Sequence, residues 1–196
     1  MDIKSCAIIS HRPTRFKFGY KENMTGGKRL KKRLRDQLMT LYGQGVRRFY
    51  VGGCLGVDQW AGEILLRLKE QAEFSEIELI IVAPFPDHDR KWDEKSRGRL
   101  QFLISHCAKH LVIGKDERHE SFIARNRYMV DHADVLLAVY DNVRTIHNGV
   151  GQVVLSAERR GLPIVFIHPD TGIISTHGKH PQQSNQFIIV DFLENQ

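Results

Sequence analysis

Six short apolar runs, each parted from the next by a stretch of helical length, constrain this chain more than any other feature of it. They are Lys4–Ser10, Arg47–Val51, Ile77–Ala83, His110–Ile113, Ala133–Tyr140 and Leu162–His168. Most are apolar at successive rather than alternate positions, the pattern of strands covered on both faces. Strands joined by connections of helical length lie parallel, since an antiparallel neighbour needs only a short turn. The expectation is a doubly wound α/β fold: a mostly parallel sheet with helices on both faces. Ligands of such sheets bind at the carboxyl ends of the strands, where the strand order reverses.

The intervening segments support this reading. Leu30, Leu34, Leu38 and Leu41 form one apolar stripe and predict a helix over 27–42. Trp60, Ile64, Leu65 and Leu68 mark a second helix, with Trp60 on its core side. Others are expected from Lys91 or Trp92 to Cys107, over Ser121–Asp131, and from Asn148 to Arg160. Arg15 to Thr25 reads as a loop, and Thr171 to Asn185 as a weakly specified tail. Gln186 to Phe192 reads as an added edge strand or arm, suited to exchange between copies of a homo-oligomer. The expected organisation is one domain over residues 1–170 and a tail or arm over 171–196.

At the strand ends the sequence turns to chemistry. Tyr50-Val51-Gly52-Gly53-Cys54-Leu55-Gly56-Val57-Asp58 runs from a strand through a glycine turn into a helix. Glycines there let backbone approach a ligand closely, and the helix N-terminus favours an anion, most often phosphate. The spacing matches neither the dinucleotide fingerprint nor the P-loop. Asp58 is placed to cap N–H groups or to reach a ribose hydroxyl, so an ordinary strand-to-helix turn stays open as an alternative. A second glycine turn, Gly149-Val150-Gly151-Gln152, opens the last helix. His11 and Arg12 follow the first strand, Pro84 and Phe85 the third, and Tyr140 and Asp141 the fifth. Arg12 suits a bidentate phosphate contact and Asp141 a sugar hydroxyl, while Tyr140 offers a ring to stack on a base. Arg125 and Asn126 suit a phosphate or a base edge, the alternative being a solvated helix pair. All these residues, with Leu55, are expected to line one crevice.

The chain carries 29 Lys and Arg against 23 Asp and Glu, a net charge of +6 that suits anionic partners. Six cations fall within Lys28–Arg35: Lys28, Arg29, Lys31, Lys32, Arg33 and Arg35. They mark either a solvated helix face or, with Phe16, Phe18 and Tyr20 just before them, a surface for single-stranded nucleic acid. Cys6, Cys54 and Cys107 lie far apart and suggest reduced thiols, and the first residues lack a signal-peptide pattern, so a cytoplasmic protein is expected. The ten histidines show no metal-ligand spacing, and neither metal nor cofactor is expected. No apolar run is long enough to span a membrane.

Several ordered motifs together resemble the SLOG superfamily, the Rossmann-like domains of Smf/DNA-processing protein A and the LOG phosphoribohydrolases. Within it the chain is similar to the YpsA/YoqJ-like branch of bacterial and phage proteins. The motifs are Ser10-His11-Arg12-Pro13, Gly52 through Ala61, Pro84-Phe85 with Trp92, Arg125 through Asp131, and Ala133-Asp134 through Asp141. The resemblance spans residues 4 to 168. It implies a pocket for a nucleotide or a nucleotide-derived molecule, including defence second messengers, and related domains associate into oligomers. The hydrolases keep a glutamate after their second glycine turn, and Leu155 stands at that position here. Cleavage of an N-glycosidic bond needs a carboxylate, and Glu63 or Asp58 would have to supply it. Binding without turnover is therefore the preferred reading.

Overall fold

The structure, a computed structural model, describes residues 3–141 and 149–178. Its strands are β1 (Ser5–Ser10), β2 (Arg48–Val51), β3 (Glu78–Ala83), β4 (Lys109–Val112), β5 (Val135–Val139), β6 (Ile164–Ile167) and β7 (Ile174–His177). Its helices are α1 (Thr25–Gly43), α2 (Val57–Lys69), α3 (Glu94–His106), α4 (His119–Asp131) and α5 (Gly149–Arg159). The strands form one sheet in the order β4-β3-β2-β1-β5-β6-β7. β1 pairs in parallel with β2 on one side (Ser5 opposite Arg48) and with β5 on the other (Cys6 opposite Val135). The strand order therefore reverses at β1.

Alternation along each strand divides the core into two layers. Cys6, Ile8, Phe49, Val51, Leu79, Ile81, Val135, Leu137 and Val139 face one side, where α1, α2 and α3 cover them. Ala7, Ile9, Tyr50, Ile80, Val82, Leu136, Ala138 and Tyr140 face the other, under α4 and α5. The leucine stripe of α1 holds: Leu30, Leu34 and Leu38 are fully buried and Leu41 nearly so. Burying each side chain contributes about 2 kcal/mol, far more than the propensity of so cationic a helix. Trp60 is core, as its place on the α2 stripe predicts.

The stretch from Arg15 to α1 is a loop, as expected, entered through a 3-10 turn at Pro13–Arg15, and its aromatics fold inward. Phe16 and Phe18 are buried, and Phe18 packs 6.3 Å from Trp60 between ring centroids, so only Tyr20 of that trio is exposed. The third helix begins at Glu94 rather than at Lys91 or Trp92, because Asp93 caps it by accepting from the Ser96 N–H at 3.0 Å. The tail read as weakly specified supplies β7, which pairs antiparallel with β6 (Ile164 opposite His177) and carries the sheet past residue 170. Gln186–Phe192 lies outside the described residues. Among the described residues no helix is long and apolar enough to cross a membrane, and no cluster of His, Cys, Asp and Glu is arranged to hold a metal ion.

A cleft at the strand switch point

β1 ends at the point where the strand order reverses, and a cleft opens there. It has a volume of about 780 Å³, within the range typical of small-molecule sites. Its floor is Ile8, Ile9 and Ser10 of β1, continued by His11, Arg12, Thr14 and Arg15. Cys54, Leu55 and Asp58 enter from the turn before α2 and its first turn. One whole face of α4 (His119, Phe122, Ile123, Asn126, Arg127, Val130) forms one wall. Gly149, Val150, Gln152, Val153 and Ser156 of α5 form the other. A helical repeat of three and four residues along α4 and α5 produces these two faces.

Arg125 lies at the base of the cleft and is only 8% exposed. Its Nη1 stands 3.7 Å from Asp58 Oδ2, longer than a hydrogen bond, its Nη2 donates to Cys54 Sγ at 3.8 Å, and its Nε has no partner. An arginine presents five N–H donors, so this buried guanidinium is under-used. Asp58 accepts the Cys54 N–H at 3.0 Å. Burial pushes the Asp58 carboxyl up, against the opposing pull of Arg125, the Cys54 N–H and Arg12. Burial likewise pushes the Cys54 thiol up, so it is not an activated nucleophile. Arg12 is exposed and makes no ion pair among the described residues.

Beside this pair sits a second set. His11 Nε2 lies 3.1 Å from Asp141 Oδ1, and Arg15 Nη2 donates to Asp141 Oδ2 at 2.7 Å. Burial holds His11 below the usual histidine range, with Asp141 pulling the other way and Arg15 reinforcing burial. The Asp141 carboxylate thus joins the end of β5 to the loop after β1.

Of the residues named from sequence, the structure gathers His11, Arg12, Leu55, Asp58, Arg125, Asn126, Gly149 and Gln152 on this cleft. Asp141 stands beside it through His11 and Arg15, and the others are not among its lining residues. The glycines of the first turn face protein. A Cβ on Gly52 would stand 1.4 Å from Arg125 Nη1, one on Gly53 would press on Leu100 and Ile81, and one on Gly56 would meet Pro13 Cγ at 2.4 Å. Positive φ at Gly53 and Gly56 shapes the turn. Tyr140 is buried, 5.2 Å from the His11 ring, so it backs His11 instead of offering a face to a base. Phe85 is buried edge-on against Phe122, and Pro84 accepts from the Gly114 N–H. Gly151 is buried in α5, and the residues just before Gly149 lie outside the described part.

Glu63 does not line the cleft. Arg99 donates to both its oxygens, at 2.6 and 2.7 Å, and also binds Glu22. Leu155, at the position of the hydrolase glutamate, is partly exposed and does not line the cleft. Sequence reasoning passed over Thr14, Arg15, His119, Phe122 and Ile123. The period of α4 was the available signal for Phe122 and Ile123, since both share a face with Asn126.

The mostly parallel sheet and the cleft at its switch point define a Rossmann-like α/β protein. The YpsA family model, described as the YspA SLOG family, matches residues 6–171. The chain belongs to that family. It is 29% identical over 162 residues to a UPF0398 protein of Bacillus cereus (strain B4264), covering 81% of this chain and 85% of that one. The same identity and coverage relate it to a UPF0398 protein of Bacillus thuringiensis (strain Al Hakam). Among solved structures it resembles DNA processing protein A of Helicobacter pylori, a single-stranded DNA binder, with a TM-score of 0.52 and 20% identity. That likeness covers 84% of this chain and 65% of the other and shows the fold alone.

Proposed function

We propose that the protein binds a nucleotide or nucleotide-derived small molecule in this cleft, with its phosphate at Arg125 and Arg12. Membership of the SLOG family supports nucleotide or nucleic-acid binding as the broad class, and the cleft favours a small molecule within it. The observation that carries the reading is the buried, under-used guanidinium of Arg125 at the cleft base. Taking such a charge out of water costs several kcal/mol unless a counter-charge is present. Asp58 supplies only part of one, at 3.7 Å. An anionic group in the cleft completes it. The apolar walls, Phe122 and Ile123 facing Val150 and Val153, suit a base, and Asn126 and Gln152 suit its polar edge. A signalling or antiphage second messenger, sensed or sequestered, is the finer form of this reading.

Binding rather than cleavage of an N-glycosidic bond is the reading the carboxylates support. Asp58 is the one carboxylate among the described lining residues, and it already faces Arg125 and the Cys54 N–H. The test is calorimetry on the full chain with adenosine monophosphate, ADP-ribose and a cyclic dinucleotide, followed by chromatography of the recovered ligand. At least one is expected to saturate and return intact, and Arg12→Ala is expected to weaken it about tenfold or more. No binding by any of the three, or affinity indifferent to Arg12→Ala, would overturn the proposal.

A second reading, single-stranded nucleic acid on α1, has its own support. Lys28, Lys32 and Arg35 are exposed and make no ion pair among the described residues. Arg29 and Arg33 pack against Gly172, and Lys31 pairs with Glu22, so these three serve the fold.

A further inference from the structure

Gly52 belongs to the glycine turn, yet its bare Cα faces into the protein. The nearest atoms to a Cβ placed there are Arg125 Nη1 at 1.4 Å, Arg125 Cζ at 2.6 Å and Asp58 Oδ2 at 2.7 Å. Even the smallest side chain would occupy the volume now filled by the guanidinium. An arginine cannot yield this space as an exposed lysine could, because Arg125 is packed at the cleft base with its neighbours Met129 and Val130 in the core. We infer that Gly52 and Asp58 are positioning residues for Arg125: Gly52 leaves the hole in which the guanidinium sits, and Asp58 draws it there from 3.7 Å. The distance matters. A direct bidentate pair would consume two donors, whereas at this spacing Asp58 takes up neither.

The inference deepens the proposed function, since it supplies the reason the anion-binding donors stand where they do. It makes the glycine turn a seat for a side chain rather than a backbone cradle for phosphate. The charged and titratable groups around the pair are Asp58 and Cys54 from the turn, Arg12 from the loop after β1, and His88 from the segment after β3.

The test needs no ligand, so its failure is distinct from failure of the binding reading. The Asp58 carboxyl is titrated by carbon NMR in the full-length wild type, in Gly52→Ala and in Arg125→Leu. Displacing or removing the guanidinium strips Asp58 of its counter-charge, so both variants are expected to raise its titration midpoint by about 1–3 pH units. A midpoint unchanged or lowered in Gly52→Ala while Arg125→Leu raises it would overturn the inference. Should Gly52→Ala fold poorly, a thermal cycle decides instead. Gly52→Ala is expected to lower the midpoint temperature in the wild type and to do so much less in the Arg125→Leu background. Equal losses in both backgrounds would show that Gly52 seats nothing and would equally sink the idea.

Discussion

At the scale of single residues, identity and burial together decide what each group does. His11 shows this best. Buried and backed by Tyr140, it is held neutral at pH values where an exposed histidine begins to charge. The folded group titrates below the unfolded value of about 6.5, so between the two the unfolded chain binds more protons. Stability contributed by neutral His11 is complete above about pH 6.5 and declines as pH falls toward the folded value. Chemical denaturation at several pH values between about 5 and 8 measures it. The wild type is expected to lose stability on acidification over this range more steeply than His11→Gln. Parallel profiles would show that His11 carries no such linkage. His11 was singled out from its place after β1, but nothing local to it in the sequence names Asp141, 130 residues away, as its partner.

At the scale of elements, α1 separates two kinds of information carried by one helix. Its inward stripe decides stability and its outward cations do not. Leu34 is fully buried, and replacing it by alanine should cost about 2–5 kcal/mol, a large fraction of the stability of a typical domain. Lys32→Gln on the outer face should change stability by less than about 0.5 kcal/mol. Urea denaturation of the two variants checks the contrast, and a Leu34→Ala midpoint as high as that of Lys32→Gln would contradict the packing described. The stripe was legible because a 3.6-residue period needs no partner to be seen. The inward fold of Phe16 and Phe18 was not. A short irregular segment has no period, and only contact with Trp60 gives those rings their direction. β7 went unread for a similar reason, since its pattern is mostly exposed and its pairing to β6 is a long-range choice.

At the scale of the whole molecule, cations stand both at the cleft, among them Arg12 and Arg125, and on the face of α1. These predict different salt behaviour. Oligonucleotide binding through Lys28, Lys32 and Arg35 would release counterions, and the logarithm of its affinity would fall linearly with that of salt concentration, with a slope of about −0.7 per phosphate contacted. Fluorescence anisotropy with a labelled oligothymidine, on the full chain and on the triple glutamine variant, measures that slope. On the α1 reading the variant should flatten it by two or more contacts. Equal slopes for the two proteins would remove α1 as a nucleic-acid surface and leave the cleft as the site of anion binding.

The amino-acid order alone carried the α/β class, six of the seven described strands and the five described helices. It could do so because period, chain reversal and the parallel rule are local or topological, and depend on no exact contact. Only the tertiary structure decided which of the strand-end residues face the cleft and which face protein. Gly52, Gly53 and Gly56 look alike in a sequence, as turn glycines before a helix. Whether the space above a glycine is filled by a ligand or by a side chain depends on a residue from another element, here Arg125, brought in from 73 positions away by the packing of α4 against the sheet.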